Sequence, residues 1–167
     1  PLRALCRRMP PSGLIERLAE VSGRDVPRET FDRIASFVNL LLAAADQHNL
    51  IALSTLQSVW ERHILDSAQL VRFAPSGSTW ADIGSGAGLP GLVIAILTGG
   101  PITLVEPRRL RAEFLRQTAD QLSLPNVSVE CAKAERVQGS FDVITARAVA
   151  PLDRLLAMTR HLAKEKT

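Results

Sequence analysis

The stretch Trp80-Ala-Asp-Ile-Gly-Ser-Gly-Ala-Gly-Leu-Pro-Gly91 constrains this chain more than any other. Thr79–Ile83 reads as a strand, four glycines follow within the next eight residues, and Pro90 preorganises the first turn of a helix. Glycines between a strand and a helix let the backbone turn sharply and let a ligand approach a helix N-terminus. The rest of the chain after Thr79 repeats the strand–helix alternation. Ile102–Val105, Val127–Glu130 and Phe141–Thr145 read as strands. Arg108–Leu122, with Leu110, Phe114, Leu115 and Ala119, and Pro151–Leu162 read as helices. Such alternation predicts right-handed βαβ units around a parallel sheet, an α/β class fold.

The N-terminal part follows a different period. Leu14, Leu18 and Val21 share one helical face, and Pro27 opens a helix through about His48. Its apolar set Phe31, Ile34, Phe37, Val38, Leu41, Leu42 and Ala45 recurs every three or four residues. Thr55 is placed to cap a third helix with Leu56, Val59, Trp60, Ile64 and Leu65 as its buried stripe. The expected organisation is a helical cap over residues 1–77 and an α/β core over 78–167, packed as one unit. At 167 residues the chain can bury a core without a disulfide or metal staple.

Composition narrows the setting. Cys6 and Cys131 are far apart and suit a reducing, cytoplasmic compartment better than a disulfide framework. The longest apolar run, Leu92–Leu97, is too short for a membrane span. Arg3, Arg7 and Arg8 are not followed by a signal-peptide core. The net charge of +3 permits a nucleic-acid partner without requiring one, and no metal is expected, because the histidines show no ligand spacing.

Two carboxylates give the glycine turn its chemical sense. Gly86-Ala-Gly88-Leu-Pro-Gly91 also satisfies the dinucleotide pattern, so an NAD-dependent oxidoreductase stays open as an alternative. Asp82, just before the turn, would repel a pyrophosphate. It suits instead the ammonium and sulfonium of S-adenosylmethionine. Glu106, at the end of the second strand, is placed to accept hydrogen bonds from two ribose hydroxyls, a role common to both cofactors. A purely architectural reading, with Asp82 capping the turn and Glu106 capping the next helix, also stays open here.

Six segments recur in a known order and spacing: Asn49-Leu50, Arg62-His-Ile-Leu-Asp-Ser67, Asp82–Gly91, Leu104-Val-Glu106, Phe114-Leu-Arg116 and Ala146-Arg-Ala148. Together they resemble the ribosomal small-subunit methyltransferase G family, also called glucose-inhibited division protein B. The resemblance runs from about Leu14 to Leu162. It implies a class I S-adenosylmethionine-dependent methyltransferase fold, a Rossmann-like parallel sheet, and methylation of a guanine N7 in 16S rRNA of the small ribosomal subunit. It places cofactor contacts at Gly84, Leu89, Ala134, Glu135 and Arg147, beside Asp82, Gly86, Gly88 and Glu106. Family members continue past the closing helix into further strands, so the C-terminal strands are expected to be missing here. Ile51 and Leu110 depart from positions that are usually polar and basic in the family.

Guanine N7 carries an in-plane lone pair and needs no deprotonation, so the implied site needs mainly proximity and in-line orientation. No nucleophilic cysteine, metal or catalytic dyad is expected, and no catalytic residue is assigned. Arg108, Arg109, Arg111 and Arg116 form the densest basic cluster, expected beside the cofactor mouth. His63 and Asp66, three apart on a helix, are expected to pair or to contact RNA. A monomer without membrane association is expected. A non-catalytic RNA-binding or ribosome-assembly factor is a further alternative.

Overall fold

The computed structural model describes residues 12–48 and 58–164. Helix α1 (Leu14–Ser22) ends at Gly23, whose left-handed backbone lets its N–H reach Ala19 O. Helix α2 (Arg28–His48) buries Phe31, Ile34, Phe37, Val38, Leu41 and Leu42, the face that the periodicity predicts. A continuous helical stretch over residues 60–73, here α3, changes form along its length. It is π-helical over Trp60–Leu65, α over Asp66–Ala68 and 3-10 over Gln69–Phe73. Thr55 and Leu56 lie outside the described residues, as do Asn49, Leu50, Ile51, Cys6 and the Arg3–Arg8 cluster.

Strand β1 (Trp80–Ile83) leads into the glycine turn and helix α4 (Gly91–Thr98), with Pro90 as its N-cap residue. Strand β2 (Ile102–Val105), helix α5 (Arg109–Gln121), strand β3 (Val127–Glu130), strand β4 (Val143–Ala146) and helix α6 (Leu152–Thr159) complete the core. The four strands are all parallel, in the order β3-β2-β1-β4. The sequence places the fourth strand at Phe141–Thr145, and the structure shifts it two residues at its start and one at its end. Phe141 instead bridges Ala163, in the segment after α6. Its apolar side chain packs in the core from outside the ladder, so hydrophobicity alone misplaces the strand start.

Period-two alternation divides β1 between two cores. Trp80 faces α4 and the N-terminal helices, in a cluster with Leu14, Phe37, Ile64 and Leu104. Ala81 and Ile83 face the opposite side, with Val105, Ala134, Phe141 and Leu162, against which Leu155 and Met158 of α6 pack. Helix α4 touches β2, α2 and α3. Being covered on both sides, it buries Leu92 through Ile96 and carries no polar face. The N-terminal helices thus form a third layer that shares the larger core with the sheet.

The start of the sheet is tied by a polar knot. Asp142 accepts from Thr79 N at 2.8 Å, from Thr79 Oγ1 at 2.7 Å and from Lys164 Nζ at 2.8 Å. It joins the head of β1 to the segment beyond α6. These donors, Lys164 foremost, hold the Asp142 carboxyl well below the ordinary aspartate range.

Candidate active site

The carboxyl ends of β1, β2 and β4 open into a cavity of about 540 Å³. This is where ligands bind in open parallel sheets, at the crevice beside a reversal of strand order. Here the order reverses between β1 and β4, because the chain steps outward from β1 through β2 to β3 and then crosses back to add β4 on the other side of β1. The volume lies within the range of small-molecule sites.

The turn is built by backbone bonds. Gly84 N and Ser85 N both donate to Val105 O, at 2.8 and 3.1 Å, so the end of β2 holds the start of the turn. Gly88 N donates to Ser85 O at 2.7 Å and closes it. The glycines divide by what surrounds them. A Cβ on Gly86, at φ 55°, would meet nothing closer than ordinary contact, with Gly84 O at 3.7 Å and Arg111 Nη1 at 3.9 Å. Gly88 is pressed instead against Leu92 and Leu115, and Gly91 against Leu104 and Asp82. Gly86 lines the cavity, Gly88 gives room to Leu92 of α4 and Leu115 of α5, and Gly91 lets α4 approach the sheet.

Glu106 lines the cavity while only 3% exposed. Its Oε2 accepts from Gly86 N at 3.0 Å, and its Oε1 accepts from Arg108 N at 2.8 Å. The carboxylate therefore ties the glycine turn to the N-terminus of α5. Each oxygen keeps a further acceptor position for a ligand.

Asp82 is fully buried. Its Oδ2 accepts from Gly91 N at 3.2 Å and its Oδ1 from Thr145 Oγ1 at 3.0 Å. The side chain lies on the α4 face of β1, because alternation turns it away from the cavity that Ile83 lines. Asp82, fully buried, and Gly88 are the two predicted site residues that are not among those lining the cavity. Burial pushes the Asp82 carboxyl up to about 6, against the pull of Ser85, Thr145 and the Gly91 amide.

The other candidates, Gly84, Gly86, Leu89, Glu106, Ala134, Glu135 and Arg147, meet around this cavity. Ala134 and Glu135 come from a 3-10 turn after β3, Ala134–Arg136. Arg147 follows β4 directly, with Ala148 in left-handed backbone at φ 55°. Val149 then folds back over the turn, so close that a Cβ on Gly84 would stand 2.6 Å from its Cγ2.

The basic cluster is split. Arg108 and Arg111 line the cavity. Arg116 turns towards β3, where its Nη2 donates to Val129 O at 3.1 Å, and Arg109 is not part of the lining. Lys133 and Arg154, unremarked in the sequence, join the cavity wall together with Met158 and Val149. Lys133 stands just beyond the end of β3, whereas Arg154 and Met158 lie on α6 and carry no local sequence signal. His63 is turned towards Arg147, with Nδ1 at 3.2 Å from Nη1, while Asp66 is exposed. Among the described residues no three His, Cys, Asp or Glu side chains gather to hold a metal ion, and no helix is long and apolar enough to cross a membrane.

Known proteins share this architecture. The chain superposes on a protein-L-isoaspartate O-methyltransferase with a TM-score of 0.58 and 16% identity, covering 91% of this chain and 52% of that one. A coclaurine N-methyltransferase gives a TM-score of 0.52 at 16% identity, covering 99% and 59%. These likenesses establish a class I methyltransferase fold. In sequence, the chain is 48% identical over 143 residues to the ribosomal RNA small subunit methyltransferase G of Novosphingobium aromaticivorans, covering 83% of this chain and 62% of that protein. The Sphingopyxis alaskensis protein of the same name is 46% identical over 142 residues, covering 83% and 61%. The chain therefore spans about three fifths of the length of these relatives. Residues 31–167 match the family described as rRNA small subunit methyltransferase G. On this match and these identities, the chain belongs to the rRNA small subunit methyltransferase G family.

Proposed function

We propose that the chain carries the cofactor site and methyl-transfer cavity of an enzyme that moves a methyl group from S-adenosylmethionine to N7 of a guanine in 16S rRNA. The observation that carries this reading is the pairing of an open Gly86 with the Glu106 carboxylate at one cavity mouth, in a chain of this family. The residues fit the cofactor. Gly86 leaves room for a ligand to lie on the backbone, Glu106 offers two oxygens to ribose hydroxyls, and Ala134 and Glu135 supply the wall for the adenine.

When bound, S-adenosylmethionine supplies an activated methyl on a sulfonium leaving group. The chain contributes position and field. Leu89 and Ile83 make an apolar wall, which keeps water from the methyl. Arg108, Arg111, Lys133, Arg147 and Arg154 give the mouth a cationic rim, against Glu106 and Glu135 within it. A cationic rim favours an RNA backbone over a neutral small molecule. Asp82 acts from beneath the turn, holding the Gly91 amide and the Thr145 hydroxyl in place and supporting the charge of Arg147. The enzyme acts on the small ribosomal subunit in the cytoplasm, as a monomer.

The test is transfer of labelled methyl groups from S-adenosylmethionine to bacterial small ribosomal subunits, with the product mapped in 16S rRNA. A single N7-methylguanine supports the reading. Cofactor binding without any transfer to rRNA would leave a binding or assembly factor in its place.

A further inference from the structure

His63 and Arg147 lie 84 positions apart, yet the imidazole Nδ1 stands 3.2 Å from the guanidinium Nη1. A guanidinium can only donate, so Nδ1 must carry its lone pair and the ring proton must sit on Nε2. The contact therefore exists only with neutral His63. The imidazole is 9% exposed, on the π-helical part of α3, and Ser67 Oγ donates to the His63 carbonyl one turn on. Such π turns recur where a side chain must be aimed at a site.

Arg147 is held at the other end of this contact by a constrained loop. Ala148 adopts a left-handed backbone that strains an L-residue, and Val149 packs on Gly84. A strained residue flanked by two anchors marks a segment fixed by its surroundings. Remove the His63 contact and Arg147 loses its directional partner at 3.2 Å, leaving only the less directional pull of Asp82 and Asp66.

We propose that His63 is the positioning residue for Arg147, and that protonation of its imidazole frees this arginine and lowers methyl transfer on the acid side. The proposal rests on the cavity being the methyl-transfer site. The charged groups facing His63 favour the neutral ring on balance. Arg147, across from it, and Arg62, on its own helix, oppose protonation, while Asp66 favours it. Arg17 of α1 is engaged with Glu61 at 3.6 Å. Burial is the largest influence and, with Arg147, holds the imidazole below its ordinary value of 6.5.

The experiment is a pH–rate profile of methyl transfer to small ribosomal subunits, at saturating S-adenosylmethionine, between about pH 5.5 and 8.5. The wild type shows a rate that falls on the acid side with a midpoint below 6.5. His63→Asn puts an oxygen acceptor near the place of Nδ1 without a titrating group. It keeps activity within about tenfold of wild type at pH 8 and loses the acid limb. His63→Ala lowers kcat about 10- to 100-fold at every pH, with cofactor affinity by calorimetry within about twofold of wild type. If the alanine variant does not fold, the asparagine profile decides alone. An acid limb that persists in His63→Asn overturns the role of His63 and leaves the methyl-transfer reading standing. No transfer by the wild type at any pH overturns both.

Discussion

Asp82 shows how much one buried carboxylate can decide. Its charge is taken fully out of water, and three hydrogen-bond donors do not offset the cost. Because the native pKa is raised from 3.8 to about 6, the folded chain holds more protons than the unfolded one across that window. Stability therefore falls as pH rises from about 4 to 6, and the full penalty is present above 6. Asp82→Asn should thus stabilise the ligand-free chain by about 1–3 kcal/mol at pH 7.5. Its amide can still accept from Gly91 N and donate to Thr145 Oγ1, which has Ala81 O as another acceptor. Urea unfolding at pH 7.5 and at pH 4.5 checks this, with the advantage shrinking at the lower pH. The sequence shows that an acidic residue precedes the turn. Whether it faces ligand or helix depends on strand alternation relative to a cavity that no local pattern reveals.

At the scale of elements, the glycine turn does two jobs that its spacing alone does not separate. Gly91 sets the distance from α4 to the sheet, Gly88 lets Leu92 and Leu115 pack against the turn, and Gly86 faces the cavity. Gly91→Ala should press its methyl on Leu104 and Asp82 and cost about 1–3 kcal/mol, seen as a lower thermal midpoint. Gly86→Ala meets no close neighbour, though its positive φ strains any side chain. It should lower the midpoint less while weakening S-adenosylmethionine binding by about tenfold or more, read by calorimetry. Strands β2 and β3 are legible residue for residue, because Gly100-Pro101 and Pro125-Asn126 turn the chain just before short segments rich in β-branched residues. Strand β4 is displaced because Phe141 belongs to a neighbouring bridge. Lys133, Arg154 and the His63–Arg147 contact are invisible beforehand, since each depends on contacts between residues distant in sequence.

Across the whole molecule, three layers share the load: the N-terminal helices, α4 with the sheet, and the short helices on the cavity side. The layers carry opposite pH signatures. Asp142, at the head of β1 and β4, has a depressed pKa. Its contribution is present above about pH 4 and is lost as pH falls through the native value. Asp142→Asn should therefore destabilise the chain at neutral pH, and the difference from wild type should vanish in strong acid. Acid unfolding curves of the two proteins test this. The outer flank of β4 is apolar, with Leu152 and Leu156 of α6 at 70% and 60% exposure.

Everything proposed for this chain depends on S-adenosylmethionine binding in the cavity above Gly86 and Glu106. Calorimetric titration of the cofactor into the wild-type chain and into Glu106→Ala tests it most directly. Removing the carboxylate deletes charge-assisted hydrogen bonds of about 1.5–3 kcal/mol each. The expected result is one binding site in the wild type, weakened at least about tenfold in the variant, with NAD giving no heat in either. Wild-type affinity retained in a folded Glu106→Ala, or no binding by the wild type, would contradict it.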